Sequence, residues 1–362
     1  MNAKLYEKIT VLLFCLFLLS MMLLYLLTPK NDFSINEKRY LEEFPTLSWS
    51  DVSTGKWGDN LEKYMADHIP ARDFWVGLNA YSDLFTGRQI TKDIWRVNGQ
   101  LVEAPCDEND QSVFMKVQTI NSFAETVNRQ VDFAVIPSAG WATGSDQYPD
   151  KTMITSIYSL VSSNIHTLDL VTVFQNHPEL YYSTDHHWNS AGAYAAYVSY
   201  LNTIDKSPVA KENFEIESVP DFHGSTYSRS ALWLTASESI ELWNTGSQIA
   251  VTNGESDEVH QGVFYRSRLE EADKYTVFLD GNHSIVRTHN PNGNGKILVI
   301  RDSFGNSLGC FLAESYEEVV LVDLRYYKRP VSELVTSENY DQILVCYSLN
   351  NFVTDSNLIF LK

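Results

Sequence analysis

Four short apolar runs constrain this chain more than anything else in it: VDFAVI at 131–136, KILVIR at 296–301, EVVLVDL at 318–324 and QILVCYS at 342–348. Runs of this length with apolar residues at consecutive positions suit strands buried on both faces, because a half-buried strand would alternate. Segments with a helical period lie around them at 112–129, 151–163, 190–201 and 306–314, and a further strand is expected at 167–174. Strands alternating with helices build a parallel sheet covered on both sides, so 112–362 is read as one three-layer α/β domain. The alternation breaks at about 204–294, a stretch rich in Ser, Thr, Asn and Glu, which reads as a mostly β or irregular insertion. Within it, 276–279 and 284–288 flank Asp280-Gly281-Asn282-His283, a hairpin signal. The sequence holds no internal repeat and no Gly-rich phosphate loop.

The first 30 residues differ in kind. Residues 11–27 are apolar except for Ser20, and a bilayer-spanning helix needs about 17–25 such residues. Lys4 and Lys8 precede the run, which directs the short end to the cytoplasm. A cleaved signal peptide has a shorter apolar region, about 7–15 residues, closed by small residues. Leu26-Leu27-Thr28-Pro29-Lys30 offers no such site, so residues 1–30 are read as a cytoplasmic tail and uncleaved signal anchor. Residues 31–111 form an aromatic, helical lead-in: Trp57, Leu61, Tyr64 and Met65 recur at helical spacing, as do Phe74, Leu78, Tyr81 and Phe85.

Charge follows the same division. The chain has 27 Lys and Arg against 46 Asp and Glu, a net of −19, and beyond residue 30 the net is −21. A binder of nucleic-acid backbone needs the opposite balance, so no nucleic-acid partner is expected. Cys15, Cys106, Cys310 and Cys346 form no C-x-x-C pair, and no disulfide among them is assigned.

Two segments hold residue types that can do chemistry. Asp185-His186-His187-Trp188-Asn189 precedes a helix, and Arg301-Asp302-Ser303-Phe304-Gly305 joins the KILVIR strand to the next one. Binding sites of open parallel sheets lie beyond the carboxyl ends of the strands. A serine at such a turn is either a helix cap or a nucleophile, and a nucleophile needs an imidazole base and a carboxylate to orient it. Ser303, His187 and Asp185 are a chemically sufficient set. Asp185, His186 and His187 could instead ligate a metal, although no H-x-x-x-H helix accompanies them and no metal is assigned. Trp188 is read as a core aromatic or as a platform for a sugar ring.

The D-H-H-W string followed by N-S-A-G-A-Y resembles the signature of the bacterial DHHW protein family, and the SGNH-hydrolase-like domains of alginate O-acetylation proteins. Further matches run from Asn36-Glu37-Lys38-Arg39 and Asp67-His68-Ile69-Pro70-Ala71-Arg72 through Gly224-Ser225-Thr226-Tyr227-Ser228 to Arg301-Asp302-Ser303-Phe304, Val322-Asp323-Leu324-Arg325-Tyr326 and Asn339-Tyr340-Asp341. The resemblance implies an SGNH-like, flavodoxin-type sandwich with Ser303 as nucleophile, His187 as base and Asp185 as its orienting carboxylate. Arg301 stands where the family's nucleophile block has glycine. Gly140, Asn350 and Asn351 are the oxyanion candidates, and Trp188 a substrate-binding one. The implied function is an extracytoplasmic O-acetyltransferase or acetylesterase, without a cofactor, acting on a cell-wall or secreted polysaccharide. A transferase would receive acetyl groups from a multi-span membrane acyltransferase. The competing readings are a non-catalytic polysaccharide-binding or assembly protein on the same fold, and a metallohydrolase built on Asp185 and His187.

Overall fold

Consecutive residues of Lys296–Arg301 face opposite sides of one sheet, Ile297 and Val299 into one apolar core and Leu298 and Ile300 into another. That double burial is what the run of apolar residues requires. In the computed structural model, which describes residues 3–88, 90–107, 112–254, 256 and 258–362, the chain forms two compact units. One comprises Met1–Arg88 with Ala231–Trp233, the other Gln89–Ser230 with Leu234–Lys362.

The first unit carries α1 (Ala3–Leu27), whose segment Leu5–Leu27 is long and apolar enough to cross a membrane. It continues through α2 (Lys56–Asp67) and α3 (Arg72–Phe85) at the expected helical spacing. Met65, Phe74, Leu78 and Phe85 on these helices remain exposed, whereas Gly77 and Ala80 are buried. The Asn36–Arg39 and Asp67–Arg72 motifs meet in an ionic network. Arg39 grips Asp67 with both terminal nitrogens (2.8 and 2.5 Å), and Glu37 accepts from Arg39 and Arg72 at 2.8 and 2.9 Å. These strings therefore act as a clasp between a loop and a helix junction.

The second unit is an α/β sandwich. Its main strands are β1 (Val131–Ile136), β2 (Ile165–Leu168), β3 (Ala250–Asn253), β4 (His260–Gln261), β5 (Ile285–His289), β6 (Lys296–Arg301), β7 (Glu318–Val322) and β8 (Gln342–Ser348). They form one sheet in the order β4-β3-β5-β7-β6-β8-β1-β2. The five strands from β7 to β2 are parallel. The insertion adds β5, β3 and β4 antiparallel at one edge, which makes the sheet mixed. Among the helices, α4 (Ser112–Val127) covers one face, and α5 (Ser190–Thr203) and α6 (Phe304–Ser315) cover the other.

Two local expectations are corrected. Residues 167–174 do not form one strand: β2 ends at Leu168, and Asp169 caps a short helix, Leu170–Phe174, by accepting from Thr172 N–H (3.1 Å) and its hydroxyl (2.6 Å). A side-chain cap of this kind outweighs strand propensity over so few residues. Nor do 276–279 and 284–288 pair. Lys274–Val277 is a 3₁₀ turn, and Leu279 N–H turns back to Val263 O (3.0 Å). β5 pairs instead with β7 and β3. Leu279 and Asp280 adopt positive φ, and the Asp280 carboxylate is held by Arg268 at 2.6 Å.

Candidate active site

β6, β8 and β1 are neighbours, and in register they end together: Arg301 pairs with Cys346, and Ser348 with Ile136. Each then turns into a helix, through Asp302-Ser303, Leu349-Asn350 and Ser138-Ala139 respectively. Three strand-to-helix turns thus meet at the carboxyl edge of the sheet, where the topology opens a crevice.

Ser303 occupies the N-cap position of α6, yet its hydroxyl makes no capping bond. Asp302 caps instead. Its Oδ1 accepts Phe304 N–H (3.0 Å), and its Oδ2 accepts Ser348 N–H (2.8 Å), the Ser348 hydroxyl (2.7 Å) and Asn351 Nδ2 (2.8 Å). One carboxylate ties the turn to the end of β8 and leaves Ser303 Oγ available.

The Asp185–His187 loop is held from three sides. Tyr182 N–H donates to His187 O, and Asn189 N–H to Leu180 O. The Glu238 carboxylate accepts Ser183 N–H and Thr184 N–H at 2.9 and 2.8 Å and the Thr184 hydroxyl at 2.5 Å. From the third side, Gly224 presses so close that a Cβ there would lie 2.1 Å from Asp185 Cβ. The next residue, Ser225, donates its N–H to Asp185 Oδ2 at 2.6 Å.

So braced, the loop brings three side chains into line. His187 Nε2 lies 2.7 Å from Ser303 Oγ, and His187 Nδ1 lies 2.5 Å from Asp185 Oδ1. Ser303, His187 and Asp185 are all buried. Burial lowers the proton affinity of His187, which keeps the imidazole neutral with Nε2 free to accept. Burial alone would raise Asp185, but the neighbouring imidazoles and the Ser225 N–H hold it well below the usual carboxylate range. An ionised carboxylate at Nδ1 fixes the tautomer that presents a bare Nε2 to the hydroxyl.

Asp185, His186 and His187 also bring three ligand atoms within 4.8 Å of one another, the one such cluster among the described residues. Asp185 Oδ1 and both His187 nitrogens already serve the chain that ends at Ser303, and His186 Nδ1 sits 2.6 Å from Ser225 Oγ. A cation drawing on these atoms would have to break that chain.

Of the other expected site residues, Trp188 and Gly140 are buried, while Asn350 and Asn351 stand near the turn that carries Ser303. Trp188 is fully buried: it stacks on Phe174, meets Phe304 edge-on and donates Nε1–H to Ser307 Oγ at 2.8 Å. It is a core residue behind the site, which corrects its reading as a substrate platform. Asn350 Nδ2 donates one hydrogen to Glu103 (2.9 Å) and Asn351 Nδ2 one to Asp302 (2.8 Å), which leaves each amide a second donor hydrogen. Gly140 is buried beneath the Tyr148 ring, 2.0 Å from where its Cβ would be. By contrast, Ser303 N–H makes no hydrogen bond among the described residues.

Tyr275 was not singled out in the sequence. Its ring stacks on His187 with centroids 3.9 Å apart at 8°, and its hydroxyl lies 3.1 Å from Ser307 Oγ. Nothing in the local pattern marks it, because it arrives on the irregular turn 274–277 from 88 positions along the chain.

The sequence model for the DHHW protein family matches residues 142–322, half of the chain. No curated protein matches. Among solved structures, a DHHW family protein from Eubacterium siraeum is similar at TM-score 0.63 and 21% identity, over 74% of this chain and 96% of that one. PatB1 of Bacillus cereus, in a structure with a sulfonyl adduct, is similar at 0.62 and 21%, over 74% and 98%. The O-acetyltransferase domain of Pseudomonas putida AlgJ aligns at 0.45 and 12%, over 73% and 93%. The chain shares its fold with the DHHW family protein and with PatB1.

Proposed function

The chain belongs to the DHHW protein family, and from that premise we propose a membrane-anchored, extracytoplasmic O-acetyltransferase or acetylesterase that acts on a cell-wall or secreted polysaccharide. The observation that carries this reading is the hydrogen-bonded line from Asp185 through His187 to Ser303, at 2.5 and 2.7 Å.

Ser303 Oγ attacks the carbonyl carbon of an acetyl ester while His187 Nε2 takes its proton. Charge gathers on the carbonyl oxygen, and the free Ser303 N–H at the amino end of α6 is the donor for it. One such donor contributes about 10²–10³ in rate. Asp185 stays ionised and holds the imidazolium. The tetrahedral intermediate collapses, the leaving oxygen takes the proton from His187, and acetyl-Ser303 remains. A sugar hydroxyl or water then repeats the sequence in reverse order. His186 and Phe304 line a small cleft together with Glu103, Ala139, Leu349 and Asn350. The apolar helix α1 would hold the acidic body at the outer membrane face, where a multi-span acyltransferase partner could supply acetyl groups. A sulfonyl adduct on PatB1, a protein of similar fold, agrees with a scaffold that presents a nucleophile.

The test is covalent labelling. A sulfonyl fluoride should modify Ser303, and labelling and acetyl-ester hydrolysis should both disappear in Ser303→Ala and in His187→Ala. Equal hydrolysis by wild type and Ser303→Ala would leave the non-catalytic, polysaccharide-binding reading in its place.

A further inference from the structure

Two strings of the sequence take no part in the line to Ser303: Asn36–Arg39 and Asp67–Arg72, both in the first unit. They stand beside the end of α1. The Lys30 ammonium turns back and donates to Tyr25 O at 2.6 Å, inside the apolar segment Leu5–Leu27, and to His68 O at 3.4 Å. One side chain thus ties the last turn of α1 to the end of α2. His68 packs on Tyr64, and Tyr64 meets Phe44 edge-on, with ring centroids 4.3 and 5.3 Å apart respectively. His68 also lines a concavity of about 510 Å³, whose other walls include Thr28, Pro29, Ile35, Ile69 and Phe74.

Apolar side chains around this junction face outward. Leu27, Ile35 and Phe74 are 78, 75 and 60% exposed, and Phe44 and Ile69 are exposed as well. Apolar residues scattered singly over a surface need no explanation, but a cluster marks a contact with protein or membrane. Its level decides which. The headgroup layers add about 5–8 Å to each side of the hydrocarbon core, so groups bonded to the last turn of a spanning helix lie within that layer. Aromatic side chains beside a span settle there. The charges agree. Arg39 pairs with Asp67 and Arg72 with Glu37, so the clasp brings two cations and two anions, and no net charge, to this boundary. Asp73, which accepts from Asn36 Nδ2 at 2.6 Å, adds one negative charge to the wall of the concavity. Nothing in that wall selects an anionic headgroup, and the attraction is apolar.

We infer that Leu27, Ile35, Phe44, Ile69 and Phe74 lie in the interfacial layer of the membrane that α1 crosses, and that phospholipid of that leaflet fills the concavity. This rests on the reading of α1 as a membrane anchor. The first unit is then a second membrane contact, made in the plane of the surface, as amphipathic elements that lie on a bilayer make theirs. The Asn36–Arg39 and Asp67–Arg72 strings are the bracket that holds its apolar rim level with the end of the span.

The experiment uses the full chain reconstituted in phosphatidylcholine vesicles that contain a phosphatidylcholine with a diazirine next to its headgroup. After illumination, lipid adducts are mapped by mass spectrometry. Adducts should fall on Ile35, Ile69 and Phe74 as well as on the end of α1. In a chain carrying Ile35→Glu and Phe74→Glu, adducts over 33–44 and 69–75 should drop at least fivefold, while the yield on α1 stays within twofold of wild type. Adducts confined to α1 would overturn the inference. Rim adducts that vanish when the density of chain in the vesicles is raised tenfold, or when the probe lipid is incorporated into cell membranes, would overturn it equally, because a second copy or another protein would then cover these residues. The wild-type map is read without any variant, so poor folding of the double substitution leaves that arm decisive. A chain with no adduct anywhere, α1 included, would instead mark failure of the anchor reading itself.

Discussion

Gly224 has no side chain because Asp185 occupies the space one would need, with Oδ2 2.4 Å from a Cβ built there. Gly224→Ala must push Asp185 away from His187, and displacements near 1 Å cost about 10²-fold in rate. We expect hydrolysis of an acetyl ester to fall by about that factor, with the circular dichroism spectrum retained. Arg301 makes the same point about space. It is fully buried beneath the turn, 3.2 Å from Asp323, and its aliphatic stem lies 2.6–2.9 Å from the Cβ position of Gly305. Gly305, two residues after Ser303, makes room for that side chain. His187 sets the pH response. Its proton affinity is lowered, so the base stays unprotonated further into acid than a free imidazole. The acid limb of kcat/KM should therefore lie below the ordinary histidine value of 6.5, with a plateau at neutral pH. A limb above that value would contradict the buried neutral base.

At the scale of elements, what matters is which turns are stiff. The 3₁₀ turn Lys274–Val277 presents Tyr275 flat against His187. Tyr275→Phe keeps the ring and loses only the contacts near 3.1–3.4 Å to Ser307 and Ser303, so kcat should change by less than about fivefold. Tyr275→Ala removes a buried ring and should destabilise the fold by about 3–5 kcal/mol in urea unfolding, with a larger loss of kcat. β1, β6 and β8 were legible because a strand buried on both faces writes that fact as consecutive apolar residues. Residues 167–174 were misread because β2 and the helix Leu170–Phe174 are both apolar there, and only the Asp169 side chain divides them. Ser303 and the Asp185–His187 loop could be paired from the chemistry each needs. Trp188 could not be placed, since an indole bound for the core and one bound for a sugar look alike in sequence. Tyr275 was invisible for a different reason: its partners are distant in the chain, and no periodicity connects them.

For the whole molecule, charge and apolarity separate along the chain. The body beyond residue 30 carries −21, while α1 is apolar over Leu5–Leu27. The full chain should sediment with membranes and resist alkaline carbonate. Replacing Leu16 and Leu19 with Arg, each costing about 2.5–3.5 kcal/mol at mid-membrane, should abolish that resistance. A wild-type chain extracted by carbonate would contradict the anchor. The sheet order has a consequence for biosynthesis. β8 comes last in the sequence yet lies between β6 and β1, and its final residue, Ser348, helps hold the turn that carries Ser303. In the order of synthesis, Asp185, His187 and Ser303 all precede the strand that knits the two halves of the sheet together. Without Gln342–Ser348 there is a gap where the centre of the sheet should be, so a chain truncated before Gln342 should show no acetyl-ester hydrolysis.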